Sequence, residues 1–234
     1  MKACFFSAVI HVVLIFSFTE VLQAETVVLQ PGPDQSQDIW TTNIYSYAPD
    51  GSFPGGGLAD ERLRVGGYSD LYYSLVQFNL QGLPAQATSV VISLFHFTSE
   101  GGTPTEIVLH RNTQQWDWRT TGTGRDHDRL WWADLPQSVF VSPQLPMPAI
   151  GTWYNIDVTS LYNNWQNGTF QNFGIQLRPT ANSNNWSTFY SSRYGGDPTL
   201  RPKLTVTSVP EPTPHLFVFV GGLALLLRNT RCVR

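Results

Sequence analysis

Apolar and polar residues alternate in short runs along most of the chain, and no run holds a helical period for long. In "SLVQFNL" (74 to 80), Val76, Phe78 and Leu80 fall on one side and Gln77 and Asn79 on the other. A period of two marks a strand, because successive side chains leave opposite faces of a pleated backbone. "WYNIDV" aligns Tyr154, Ile156 and Val158, "FGIQL" aligns Phe173, Ile175 and Leu177, and "KLTVT" aligns Leu204 and Val206. "VVISLFHF" (90 to 97) is apolar on both faces, which predicts a strand lying between layers. Glycine and proline punctuate the runs in "GLPAQA", "EGGTP" and "YGGDPTLRP". Short strands, long polar loops and no βαβ rhythm predict an all-β fold, an antiparallel β-sandwich of jelly-roll type. Residues 40 to 60 read as a glycine-rich loop, and 112 to 150 show no clean period.

One stretch changes period partway. "WYNIDVTSLYNNWQNGTFQNFGIQL" (153 to 177) starts as a strand and then offers Thr159 or Ser160 as a helix N-cap. Leu161 and Trp165 would share a face one turn apart, and Gly168 would stop the helix. A short helix after the strand around residues 153 to 158 is therefore expected. Asp157 stands where it can accept hydrogen bonds from backbone N–H groups, so this polar stretch reads as a structural corner.

The ends differ from the middle. Residues 1 to 24 have a basic start at Lys2, the apolar "FFSAVIHVVLIFSF" and a small residue at Ala24, the pattern of a secretory signal peptide. At the other end, Pro210, Glu211 and Pro212 precede an apolar run from Leu216 to Leu227 and then Arg228, Arg231 and Arg234. Twelve helical residues reach roughly 18 Å against a hydrocarbon core of about 30 Å, so the run is expected to be a short membrane stretch. Cys4 and Cys232 both lie in these terminal segments, so the region between them must hold without a disulfide. Residues 25 to 208 carry fifteen acidic side chains against ten Lys plus Arg, nine of them arginine, for a formal charge of about −5. With no basic block or stripe, nucleic acid is excluded as a partner.

The tail resembles the PEP-CTERM sorting signal, which has these three parts in this order, although "RNTRCVR" is looser than the usual arginine cluster. That resemblance implies export in a Gram-negative bacterium and processing by signal peptidase and an exosortase-type enzyme. It also implies a transient stay in the inner membrane and delivery to the envelope, cell surface or extracellular matrix. "VVLQPGPDQSQDIW", "LRVGG", "SLVQFNLQGLPAQATSVVISLFHF", "WYNIDVTSLYNNWQNGTFQNFGIQL" and "YGGDPTLRPKLTVT" follow, in order, the pattern of the DNRLRE domain. That family is related to disaggregatase repeats and to carbohydrate-binding modules that include alginate binders. The resemblance gives residues 25 to 208 as one DNRLRE-like β-sandwich domain, flanked by the signal peptide and the sorting segment 209 to 234. It implies a jelly roll that handles polysaccharide without catalysis. Most matching residues, among them Leu63, Val65, Gly66, Asp157, Trp165, Gly168 and Gly174, are framework positions.

Ligand candidates concentrate in the aperiodic middle. Trp116, Trp118, Trp131 and Trp132 lie close together with Arg119, Arg125 and Arg129, and Trp40 and Tyr73 extend the set. Aromatic rings pack on the C–H faces of sugars, and arginine forks pair with carboxylates or sulfates, so an acidic extracellular polysaccharide would use both. The alternative is a structural loop, with Asp117, Asp126, Asp128 and Asp134 satisfying the arginines and "WDW" turning both tryptophans into the core. For a structural calcium ion, Asp38, Asp60, Asp157 and Asp197 are the chosen oxygen donors, without a contiguous calcium-loop motif. "RDHDR" is a solvated loop, since adjacent residues of a strand point apart. Glu106 and Asp117 make an unspecific acidic pair, and His96 and His110 read as wall residues of the sheet. The chain is thus expected not to be an enzyme. A surface protein that binds protein partners is the second reading, and a lyase or hydrolase the third.

Overall fold

A strand order that leaves and re-enters the same ladder wraps the sheet around one core. The computed structural model describes residues 24–208 apart from 34, 36, 44–55, 59–60, 102–104, 117–128, 144–145 and 183. The strands, in chain order, are β1 (Thr26–Leu29), β2 (Gln37–Thr42), β3 (Gly56–Leu58), β4 (Arg62–Gly67), β5 (Tyr72–Gln77), β6 (Ala87–Glu100) and β7 (Ile107–Asn112). They continue with β8 (Arg129–Trp131), β9 (Ser138–Pro143), β10 (Thr152–Asp157), β11 (Ile175–Pro179), β12 (Asn185–Tyr190) and β13 (Lys203–Ser208). The ladder runs β1-β13-β6-β12-β4-β5-β11-β7-β9, with β10 added on β6 and β2 on β5, while β3 and β8 pair separately. Every pairing is antiparallel, which makes this the expected jelly-roll sandwich.

Two walls face each other across the core. Ile92 and Leu94 of β6, Tyr154 and Ile156 of β10, Phe189 of β12 and Leu204 and Val206 of β13 enter it from one side. Val76 of β5, Leu109 of β7, and Ile175 and Leu177 of β11 enter it from the other. Full burial of each large aliphatic contributes about 1.5–3 kcal/mol, so this cluster dominates stability. β6 organises the first wall. It pairs with β13 along its first half, with β12 along its second, and with β10 across the middle. The outcome for "VVISLFHF" differs from the expectation. Its second apolar face, Phe95 and Phe97, lies partly exposed on the outer surface rather than between two layers.

A smaller apolar cluster lies on the outer side of the second wall, where Ile39, Leu75, Trp116 and Leu130 are buried with Leu135 against them. Opposite Trp186 in the β12–β4 ladder stands Gly66. A Cβ there would come within 2.2 Å of the Asn185 carbonyl, and the residue adopts φ +137°, so only glycine fits.

The corner is built nearly as expected. Helix α1 spans Thr159–Gln166, with Val158 rather than Thr159 or Ser160 at the N-cap position. Asp157 accepts hydrogen bonds from Thr159 N–H at 2.8 Å and from Thr159 Oγ1 at 2.6 Å. Leu161 is in the core and Trp165 packs on it, and Gly168 ends the element at φ +77°. Asn163 ties the helix to β6 by donating to the Ala87 carbonyl and accepting from the Ala87 N–H, both at 3.0 Å.

The transmembrane expectation is corrected. No helix among the described residues is long and apolar enough to cross a membrane, α1 having 8 residues where a span needs about 20. The run 216 to 227 lies outside the described residues, as do the signal peptide through residue 23 and the motif Pro210, Glu211 and Pro212.

Candidate functional site

Alternation decides what the second wall shows to solvent. Because Ile175 and Leu177 of β11 point inward, Gln176 and Arg178 point outward, and the same logic turns His110 of β7 and Tyr73 of β5 to that face. Gln176 is fully buried there, its side-chain amide donating to the Pro136 carbonyl at 2.9 Å. That bond fixes its Oε1, which accepts from Arg178 Nε at 3.0 Å and from Nη2 at 2.7 Å. Arg178 Nη2 also donates to Ser138 Oγ of β9 at 2.7 Å. These three bonds hold the fork in place through Nε and Nη2.

Aromatic rings flank the guanidinium. Arg178 Cζ lies 4.8 Å from the Tyr73 ring centroid, and Tyr73 meets Trp132 at 4.7 Å with the planes tilted by 51°. His110 lies beside them, with Nδ1 3.2 Å from Ser138 Oγ and its ring edge-on to Phe140. Ser138 accepts from Arg178 and keeps a proton that can be donated to Nδ1 of a neutral imidazole. Burial and then the Arg178 charge both hold the His110 pKa below its ordinary value, in keeping with that state. Burial also presses Arg178 down from the ordinary arginine pKa, while Tyr73 acts the other way. A guanidinium keeps its proton under such pressure.

The acceptors around Arg178 are an amide and a hydroxyl, and among the described residues no carboxylate bonds to it. A half-buried charge without an opposite charge is costly, and that cost falls when an anion arrives. A guanidinium set beside aromatic rings can pair with an anionic group, while the rings offer surface to apolar C–H groups.

Of the candidates read from the sequence, the structure brings Tyr73 and Trp132 together at this face. Trp116 is 4% exposed in the smaller cluster, its indole N–H donating to the Phe173 carbonyl at 2.8 Å. Trp40 is 1% exposed, packed edge-on against Tyr72 with Arg64 over its ring. Trp131 is partly buried in β8, and of Arg129 only the backbone is described, paired with Leu58. Trp118, Arg119, Arg125 and Asp60 lie outside the described residues.

The remaining calcium candidates are apart, each already serving a protein donor. Asp38 is buried and accepts from the Ser192 N–H and hydroxyl, Asp157 accepts from Thr159, and Asp197 from Thr199. Among the described residues, no three His, Cys, Asp or Glu side chains group so as to hold a metal ion. Arg178, Gln176 and Ser138 are not among the candidates read from the sequence, since the alternation of "FGIQL" points to its inward face and Ser138 lies in the stretch without a clean period. The outward residues of "FGIQLRP", Gln176 and Arg178, were the available signal.

A jelly roll with aromatic clusters on its surface is consistent with the class of non-catalytic carbohydrate-binding modules. Residues 60–208 match carbohydrate-binding module family 96, and the chain belongs to that family. No curated protein matches the chain.

Proposed function

We propose that the protein is an exported module that retains acidic extracellular polysaccharide at the Arg178 face. The observation that carries this reading is the guanidinium held by Gln176 and Ser138 with no carboxylate bonded to it among the described residues, beside Tyr73 and Trp132. Arg178 reads the acidic group, the two rings take the apolar side of the sugar, and neutral His110 adds no charge beside them. The DNRLRE-like segments and the terminal motifs support handling by signal peptidase and an exosortase-type enzyme, with delivery to the surface or matrix of a Gram-negative bacterium. Single sugar contacts are weak, so retention would depend on repeated contacts along a polymer.

Affinity electrophoresis in gels containing polygalacturonate, alginate or a neutral β-glucan tests this. Retardation is expected in the two acidic polymers and should weaken as salt rises, because a partly exposed ion pair is screened. Equal retardation in the neutral gel, or none in any gel, would sink the reading. A protein-binding surface is the second reading. It is favoured by β9, where Val139, Phe140 and Val141 are 48%, 54% and 36% exposed.

A further inference from the structure

The opposite wall carries an aromatic surface that the Arg178 face does not use. With Leu94 and His96 of β6 buried inward, Phe95 and Phe97 leave its outer side. Trp153 of β10 stands directly across from Phe95 and meets it edge-on, ring centroids 5.3 Å apart. Tyr190 of β12, beyond a register shift at Thr188/Phe189, stacks on Phe97 at 4.3 Å and on Tyr194 at 3.7 Å. It also lies nearly parallel to Phe95 at 5.9 Å. At the Trp153 end, Lys203 of β13 sets Nζ 3.9 Å from the indole centroid. All five rings are partly exposed, and none belongs to either core cluster.

Keeping five rings wetted on an outer wall is unfavourable unless something covers them. The polar groups among them indicate what that is. Tyr190 and Tyr194 each carry a hydroxyl, and Ser93 donates to the Asn155 side-chain carbonyl at 2.7 Å beside Trp153. Hydroxyls and an amide interleaved with ring edges suit a hydroxyl-rich pyranose chain, and the family is one of carbohydrate-binding modules. The row crosses β10, β6 and β12, about 10 Å between outer strands at ~4.8 Å each, which gives room for more than one sugar ring. Cations border the row at both ends: Lys203 on Trp153, and at the other end Arg62, opposite Tyr190 in the ladder, and Arg201, which donates to the Tyr194 carbonyl at 3.0 and 2.8 Å.

We propose that this surface is a second polysaccharide subsite, so that one domain holds two chains, or two stretches of one chain, on opposite walls. This rests on the reading that the module binds polysaccharide, and it adds cross-linking to retention. Contacts on opposite walls cannot be made by one short stretch of polymer, so occupancy of both faces raises avidity only for long or multiple chains.

The test uses the full-length protein, its Arg178→Gln, Trp153→Ala and Trp153→Leu variants, and the double variant Arg178→Gln/Trp153→Ala. Retardation by polygalacturonate and light scattering from protein–polymer mixtures are the two readouts. Wild type should be retarded and raise the scattering. Each single variant should keep part of the retardation and lose the scattering, and the double variant should lose both. Trp153→Leu, melting like wild type, should behave as Trp153→Ala does, which separates a lost ring from a lost fold. Wild-type retardation and scattering in the Trp153 variants would overturn the second subsite and leave the Arg178 face standing. Loss of all retardation in Trp153→Ala with none in Arg178→Gln would overturn the pairing of two sites and the Arg178 reading together. A wild-type dimer in gel filtration that Trp153→Leu converts to monomer would assign the surface to a second copy and overturn the proposal.

Discussion

Trp116 and Trp132 come from the same tryptophan-rich stretch, yet the fold gives them opposite duties. Trp116 closes the smaller cluster over Ile39 and Leu75 and bonds to the Phe173 carbonyl. Trp116→Ala should therefore cost about 3–5 kcal/mol, read as a lower urea midpoint, with binding by the folded fraction unchanged. Trp132 is partly exposed against Tyr73. Trp132→Ala should leave the urea midpoint nearly in place and weaken polygalacturonate retention by about 0.5–1.5 kcal/mol. Residue type and proximity in sequence do not distinguish the two. What does is the ladder, which sets Ile39 against Leu75 and so builds a floor for Trp116.

At the scale of elements, α1 is tied to β6 by two side chains, Thr159, which accepts from the Val90 N–H at 2.9 Å, and Asn163. Asn163→Ala removes both bonds to Ala87 and leaves that backbone pair without its partner, an expected loss of about 1–3 kcal/mol in equilibrium denaturation with little change in binding. The helix itself was legible, because Leu161, Trp165 and Gly168 state its face and its stop. So were the strands whose apolar side meets the main core, such as "WYNIDV" and "KLTVT". The stretch from 112 to 150 was not, for a physical reason. Trp116, Leu130 and Leu135 serve the outer cluster, while β7 before them serves the main core, so no single period spans the stretch. The Arg178 face was illegible on the same ground. It draws on β5, β7, β9 and β11, which are neighbours only through ladder order.

Across the whole molecule, burial of an ionisable group inside the sandwich ties stability to pH. His96 is fully buried, with Nδ1 3.0 Å from the Pro148 carbonyl and Nε2 2.8 Å from Ser99 Oγ. Burial, opposed by backbone hydrogen bonds, holds its pKa below the ordinary 6.5. The folded chain thus resists a proton that the unfolded chain accepts. Melting temperature should stay level above pH 6.5 and fall as pH drops below it, ahead of any loss from Asp197, whose pKa lies below 3.8. A melting temperature that rises on acidification through that range would contradict a buried neutral His96. The claim that joins fold to function is narrower, that Arg178 is the group reading the acidic polymer. Titration calorimetry of wild type and Arg178→Gln with galacturonate oligosaccharides tests it most directly. A Kd raised at least about tenfold, near the 1.5–3 kcal/mol of a charge-assisted hydrogen bond, is expected in the variant with its melting temperature retained. The same Kd in both proteins would contradict it.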